Sequence, residues 1–390
     1  MSTGSVIKKE RRYDIDWLRV LAVLLLFFYH PARIFSLWDG WYIENTDKSL
    51  AISIAATFTN HWHMALLFML AGASTYFALG FRSSRRYVTE RFKRLLVPLV
   101  FGVLVIVPPQ IYVSLLHKHQ ISSHTTSYLQ FYPDYFTSRY TGSFDMGHLW
   151  FIAYLFAFSL VCLPLFLYLR RENGQKLLGR LAGFFSHPGL IFTLAIPVMV
   201  ANYLLLHFYP NPIYYLVFFF YGYILVADAR FEDSIAKFKG LALILGVALY
   251  IGWISLVRLE IVSGEWLQPI PHDLIAWCCL IALLGYGKQY LGFTNKFLKY
   301  TGEASYPMYI LHQTVIIFIA YYVVQWTLGP LFKYAIIVVV SLIVTTLIYD
   351  LLVKRFNLTR FLFGMRLKEK KPTAATPVIV PADELSDQST

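Results

Sequence analysis

Charge is scarce in this 390-residue chain: Asp, Glu, Lys and Arg together make up 14% of residues, against 57% that are hydrophobic. With several apolar runs near the ~20 residues that cross a bilayer, this balance excludes a soluble domain. Cysteine is scarcer still. Cys162, Cys278 and Cys279 all sit in apolar runs, which excludes a disulfide framework and a thiolate metal site; no metal is expected. The chain has no G-x-S-x-G elbow, Walker loop, dinucleotide Gly-rich turn or HExxH pair, so a site has to be assembled between helices. No internal repeat is visible, which weighs against transporters built from duplicated halves. A net charge of +12 could suit nucleic acid, but its distribution along the chain excludes that partner.

What is present is an all-α, polytopic membrane pattern of about ten spans. They run Ile15 to Leu37, Met64 to Phe81, Leu95 to Leu116, Leu149 to Leu169, Leu190 to Phe208, Ile213 to Ala227, Leu241 to Leu259, Pro269 to Tyr286, Tyr306 to Trp326 and Phe332 to Val353. Ala51 to Thr59 reads as a further partial helix. Most of the 34 Lys and Arg residues fall on one side of this arrangement, which places both termini in the cytoplasm. Residues 1–12 form a basic cytoplasmic segment, 13–366 the membrane domain and 367–390 a disordered tail. The basic start and following apolar run resemble a secretory signal, but the run is too long and lacks a small-residue cleavage site, so it reads as a retained helix.

Within the first span the stretch Asp14 to His30, DIDWLRVLAVLLLFFYH, carries charge where lipid penalises it by on the order of 2.5–3.5 kcal/mol. Arg19 and His30 are separated by close to three helical turns and share a face, with His30 roughly 16 Å deeper than Arg19. Asp16 lies one turn before Arg19. The pattern points to a charged mouth and a deep imidazole, or to a snorkelling Arg19 and a His30 satisfied by helix packing.

Four other stretches stand out. RRYVTERFKR, Arg85 to Arg94, reads as a basic inner loop in which Arg91 and Arg94 suit phosphate groups or fix topology against anionic lipid. NHWHM, Asn60 to Met64, places His61 and His63 about 200° apart on a helix, poor joint metal ligands and consistent with an interfacial aromatic belt. The outer segment Leu116 to Trp150 is rich in His, Tyr and Phe beside Asp134 and Asp145, suited to stacking on sugar rings or to lying on the membrane surface. In SYPMYILH, Ser305, Tyr309 and His312 form a polar stripe, for a site or for bridging helices.

Arg19-x10-His30, Arg91-x-x-Arg94, the run Met64 to Gly72, GHLWF at Gly147 to Phe151 and SYPMYILH together resemble the integral-membrane acyltransferase type 3 family and, within it, a glucan-modifying branch. The resemblance runs from Asp16 to about Gly364. It implies transfer of a short acyl group, acetyl or succinyl, from cytoplasmic acyl-coenzyme A to a hydroxyl of an envelope glycan or lipid-linked saccharide, in a multi-pass protein of the prokaryotic inner membrane. It implies His30 as general base, Arg19 as donor-positioning or charge-stabilising group and Asp16 as its ion-pair partner. Arg91 and Arg94 would take the donor phosphates, and His63, His148, Trp150, Tyr309 and His312 would line the tunnel or acceptor site. No permanently bound cofactor is implied; the partners are the donor, the acceptor and membrane lipid. In parts of the family an acidic residue close after the catalytic His orients it. Here Pro31, Ala32 and Arg33 follow, and Asp39 is the first carboxylate downstream. The reading from another class is a transporter or flippase for a polyprenyl-linked saccharide or organic anion; a third is a scaffold whose polar residues only bridge helices.

Overall fold

The computed structural model describes residues 11–38, 40–205, 208–259 and 269–368. Asp39 and the expected disordered tail, apart from Leu367 and Lys368, lie outside the described residues. Among those described there are helices and no strands. The helices are α1 (Tyr13–Ile34), α2 (Leu50–Phe81), α3 (Ser84–His117), α4 (Tyr128–Phe136), α5 (Trp150–Val161) and α6 (Leu163–Leu169). They continue as α7 (Glu172–Phe185), α8 (Ala195–Leu204), α9 (Pro212–Leu225), α10 (Ala229–Arg258), α11 (Pro269–Tyr290), α12 (Lys296–Val323), α13 (Pro330–Ile348) and α14 (Asn357–Leu362).

Seven helices are long and apolar enough to cross a membrane, eight when α5 and α6, bent by 49°, count as one span. Leu190–Leu204 and Pro212–Leu225 are apolar but shorter. The expected segments therefore fall on helices, while length and composition do not reach the expected count of about ten. This is a multi-pass integral membrane protein.

Two helix boundaries differ from expectation for the same reason. Arg85 to Arg94 is not a loop but the opening of α3, and the partial helix at Ala51 to Thr59 is the start of the 32-residue α2. In each case polar turns extend an apolar span. Ser49 starts α2 and Ser83 starts α3 by accepting from a backbone N–H of the first turn.

Prolines shape α3. Pro98 cannot donate to the Arg94 carbonyl, and the turn before it, Phe92–Leu96, is wound as a π-turn with Val97 N–H on the Phe92 carbonyl. A second π-turn, Gly102–Ile106, precedes Pro108 and Pro109. The Leu104 carbonyl, which Pro108 cannot cover, accepts from the Tyr132 hydroxyl at 2.9 Å, and the Ile106 carbonyl accepts from Thr314 Oγ1 at 2.9 Å. The breaks in α3 thus fasten it to α4 and α12.

Helix α1 packs against α2, α11, α12 and α13, so the helix carrying Arg19 and His30 stands inside the bundle. α2 and α9 approach closely through glycine: a Cβ on Gly72 would sit 1.9 Å from the Phe219 carbonyl, and one on Gly222 1.8 Å from that of Met69. The outer aromatic segment folds as α4, capped reciprocally by Ser127 and Gln130. Phe131 and Tyr135 are buried in its packing and the Tyr135 hydroxyl donates to the Asp145 carbonyl at 2.8 Å. These rings serve the fold.

Candidate active site

The charged first turn of α1 is held from both sides. Asp16 accepts from Arg19 Nη2 at 2.6 Å and from Arg11 Nε at 2.9 Å, so the expected Asp16–Arg19 pair is present. Arg12 binds Asp14 at 2.7 Å and also Glu232, which in turn holds Lys288 at 2.5 Å. These contacts tie α1 to α10 and α11, and they leave the rest of the Arg19 fork facing inward.

Arg19 borders a cavity of about 610 Å³ whose wall also includes Arg91, Arg94, Glu303, Tyr309 and Arg366. A second basin of about 480 Å³ adjoins it, lined by Arg11, Arg12, Asp16, Arg82 and again Arg19 and Arg366. The Arg91 guanidinium lies over the Tyr87 ring, 4.5 Å from its centroid, and its buried Nε has no hydrogen-bond partner. Neither Arg91 nor Arg94 forms a salt bridge among the described residues, where Glu90 pairs with Arg82 and Arg86 instead. Two forked cations without carboxylates on one wall are equipped for an anion.

The cavity ends at Tyr309 and Phe151, and a cluster of imidazoles lies behind that wall. The His148 ring is 5.5 Å from Tyr309 and 4.9 Å from His312, and the His312 ring is 5.1 Å from His30. The Tyr309 hydroxyl donates to the His148 carbonyl. His30 therefore stands one layer beyond the cavity that Arg19 lines, because Phe27, His312 and Tyr309 pack into the space between.

A carbonyl only accepts, so the ring nitrogens facing carbonyls must carry protons. His148 Nε2 lies 3.0 Å from the Ile310 carbonyl and His312 Nδ1 2.5 Å from that of Tyr309. As neutral rings they leave His148 Nδ1 and His312 Nε2 as bare acceptors. Both atoms, together with His30 Nδ1, are buried and have no hydrogen-bond partner. An unsatisfied buried polar atom costs roughly 1–3 kcal/mol, and three within adjoining rings single this cluster out as a candidate site.

Among the described residues, no carboxylate is in contact with His30. Its ring stacks on Trp41 at 5.4 Å with planes 18° apart, and the edge of Tyr29 meets it at 5.1 Å. Trp41 comes from the loop between α1 and α2, which is anchored by Tyr42 on Asp145 (2.8 Å), by Ser114 on the Tyr42 carbonyl (2.8 Å) and by Lys333 on Asn45 (2.9 Å). Arg33, one turn past His30, donates to the Tyr29 hydroxyl at 3.1 Å.

Two of the remaining expected site residues face elsewhere. His63 is buried with Nε2 2.8 Å from the Ala22 carbonyl, clamping α2 to α1 beside the cluster. Trp150 packs against Phe68, Tyr154 and Tyr215, on the side turned to α2 and α9. His61 diverges from His63 as its spacing predicts and stacks on His272 at 4.7 Å. The structure adds Trp41, Glu303, Arg360 and Arg366. Their only advance signals were an aromatic in a short loop, a carboxylate just before the SYPMYILH stretch and basic residues just past the last span, none of which is specific.

A cationic cavity backed by a histidine cluster and set among apolar helices of membrane length defines the candidate site of an integral-membrane protein. The acyltransferase domain profile matches residues 12–350, and the chain belongs to the integral-membrane acyltransferase type 3 family. It is similar to the glucans biosynthesis protein C of Shigella dysenteriae serotype 1, 23% identical over 44% of this chain and 43% of that protein. It is also similar to those of Escherichia coli O139:H28 and O81, 21% identical over 81% of this chain and 85% of each. The alignments to the first two such relatives thus span less than half of their length. No solved structure matches the chain.

Proposed function

We propose that this protein is an O-acyltransferase of a bacterial cytoplasmic membrane, moving an acetyl or succinyl group from acyl-coenzyme A to a hydroxyl of an envelope glycan or lipid-linked saccharide. The observation that carries this reading is the placement of Arg19, Arg91 and Arg94 on one cavity whose end wall, Tyr309, touches the histidine cluster. The basic end of the bundle faces the cytoplasm in this reading, as the charge distribution favours. The donor's phosphates sit on Arg91 and Arg94, and its acylated arm extends along Arg19 toward Tyr309.

Family membership and the likeness to glucans biosynthesis protein C support a glycan acceptor. The acceptor hydroxyl would enter between the bare nitrogens of His30, His148 and His312. His30 takes the hydroxyl proton as the oxygen attacks the thioester carbonyl. The carbon–sulfur bond then breaks and the leaving thiolate recovers the proton from His30. General-base catalysis of this kind contributes about 10²–10⁴ in rate, and Arg19, roughly 16 Å nearer the charged end of α1, positions the donor's arm.

The test is acyl transfer from labelled acetyl- and succinyl-coenzyme A into glycan and lipid fractions of membranes holding the protein or its His30→Ala variant. Label that depends on His30 is expected, falling by at least about a hundredfold in the variant. Equal labelling by both proteins removes His30 as the base. Absence of label from both, with folded protein and acceptor present, favours a carrier for the saccharide or anion instead.

A further inference from the structure

The last helix, α14, is followed by a hook that turns back into the bundle, and its backbone is determined at several points. Gly364 has φ +67°, a left-handed conformation that suits glycine. A Cβ there would stand 2.8 Å from the Arg94 carbonyl, the group that Pro98 leaves without its helical donor. Arg360, buried, donates to Glu303 at 2.8 Å and to the Arg366 carbonyl at 2.6 Å. Met365 N–H reaches the Arg360 carbonyl at 2.7 Å, and Lys368 N–H is held by Asn357 Oδ1 at 2.9 Å.

The result of this anchoring is the position of one side chain. Arg366 is exposed and borders both the main cavity and the adjoining basin. Most arginines around these two spaces have a carboxylate: Arg11 and Arg19 share Asp16, Arg12 has Asp14 and Glu232, Arg82 has Glu90 and Arg360 has Glu303. Among the described residues Arg91, Arg94 and Arg366 form no salt bridge. Two of the three lie together on α3; the third is presented separately by the hook, at the junction of the cavities.

Coenzyme A carries phosphate in the same two-part arrangement: a diphosphate in its chain and a phosphomonoester at the 3′ position of the ribose. The basin beside Arg366 has about 480 Å³ for the adenosine, with Phe77 and Phe81 on its wall. We propose that Arg366 binds the 3′-phosphomonoester of the donor, so that the hook after the last span acts as a clasp selecting the 3′-phosphorylated coenzyme. This rests on the acyl-coenzyme A reading above. A guanidinium fork suits a phosphomonoester, and an anionic lipid headgroup offers the same chemistry from another source.

Equilibrium binding of coenzyme A and of 3′-dephospho-coenzyme A to the purified full-length protein separates the cases, with Arg366→Ala and Arg366→Lys measured beside wild type in nanodiscs of neutral lipid and of neutral lipid with phosphatidylglycerol. The expected result is a loss of tenfold or more for coenzyme A on Arg366→Ala, partly restored by Arg366→Lys. The dephospho form should bind wild type and variant alike. If wild type binds both coenzymes equally well, the donor reading stands and the Arg366 assignment falls. If neither coenzyme binds, the donor reading falls and the assignment with it. A loss that is equal for both coenzymes, or appears only with phosphatidylglycerol, assigns Arg366 to the lipid and overturns the proposal.

Discussion

Among the described residues, His30 is held by rings. Its parallel stack on Trp41, 5.4 Å between centroids, sets the plane of the imidazole, and such aromatic contacts are worth about 0.5–1.5 kcal/mol. Removing the ring should therefore misplace the base without touching the donor cavity, whose wall does not include Trp41. Trp41→Ala is expected to lower kcat by roughly tenfold with KM for the acyl donor unchanged, and Trp41→Phe should recover most of the loss. A raised KM with normal kcat would instead place Trp41 in donor binding. Of the candidate site, Arg19 and His30 were legible because ionisable groups that interrupt an apolar run are costly in lipid, and Arg91 and Arg94 because two arginines one turn apart suit phosphate. Trp41 and Arg366 were not, since a tryptophan in a loop and an arginine after a span are ordinary until the chain's return path places them. His63 and Trp150 are conspicuous in sequence, and their partners include the Ala22 carbonyl and Tyr29 for the first and Phe68, Tyr154 and Tyr215 for the second.

Among the elements, α2 and α9 meet backbone to backbone, and the approach depends on the absence of side chains. Gly72 and Gly222 meet the opposing backbone at distances no Cβ can occupy. Gly222→Ala must push the helices apart, and overpacking of this kind costs typically about 1–3 kcal/mol or more. The expected outcome is a clear drop in thermal midpoint in detergent. Gly252→Ala, where nothing lies within 4 Å of the added carbon, should leave the midpoint level or raise it. Equal losses at both positions would mean that helix α2 does not rely on this approach. The membrane-length helices were readable from hydropathy, but their ends were not, nor were the shorter helices α4, α7 and α14. Polar turns such as Ser84 to Arg94 fall outside any apolar window although they continue the same helix, so the pair was expected on a loop and is found on a helix, Arg91 at the end of its α-helical opening and Arg94 on the π-turn that follows.

At the level of the whole molecule, the proposed mechanism requires two mouths: a donor side at the Arg-rich end and an acceptor side beyond Trp41. The structure keeps them apart, since the large cavity opens among Arg19, Arg91 and Arg366 and stops at Tyr309, while the loop carrying Trp41 is latched at the other end by Asp145 and Lys333. The direction in which this axis crosses the membrane rests on charge: the basic residues of α1, α3 and α14 cluster at one end, and positive segments stay in the cytoplasm. Single reporter cysteines decide it. The three native cysteines are buried and contribute little background to an impermeant maleimide. Ser143→Cys, exposed in the outer segment, should label in intact spheroplasts. Arg85→Cys, exposed at the start of α3, should label only after the membrane is opened. The reverse pattern would put the arginine cavity on the face where no coenzyme A donor is available, and the direction of transfer argued from the arginines would have to be abandoned even if the histidine cluster proved catalytic.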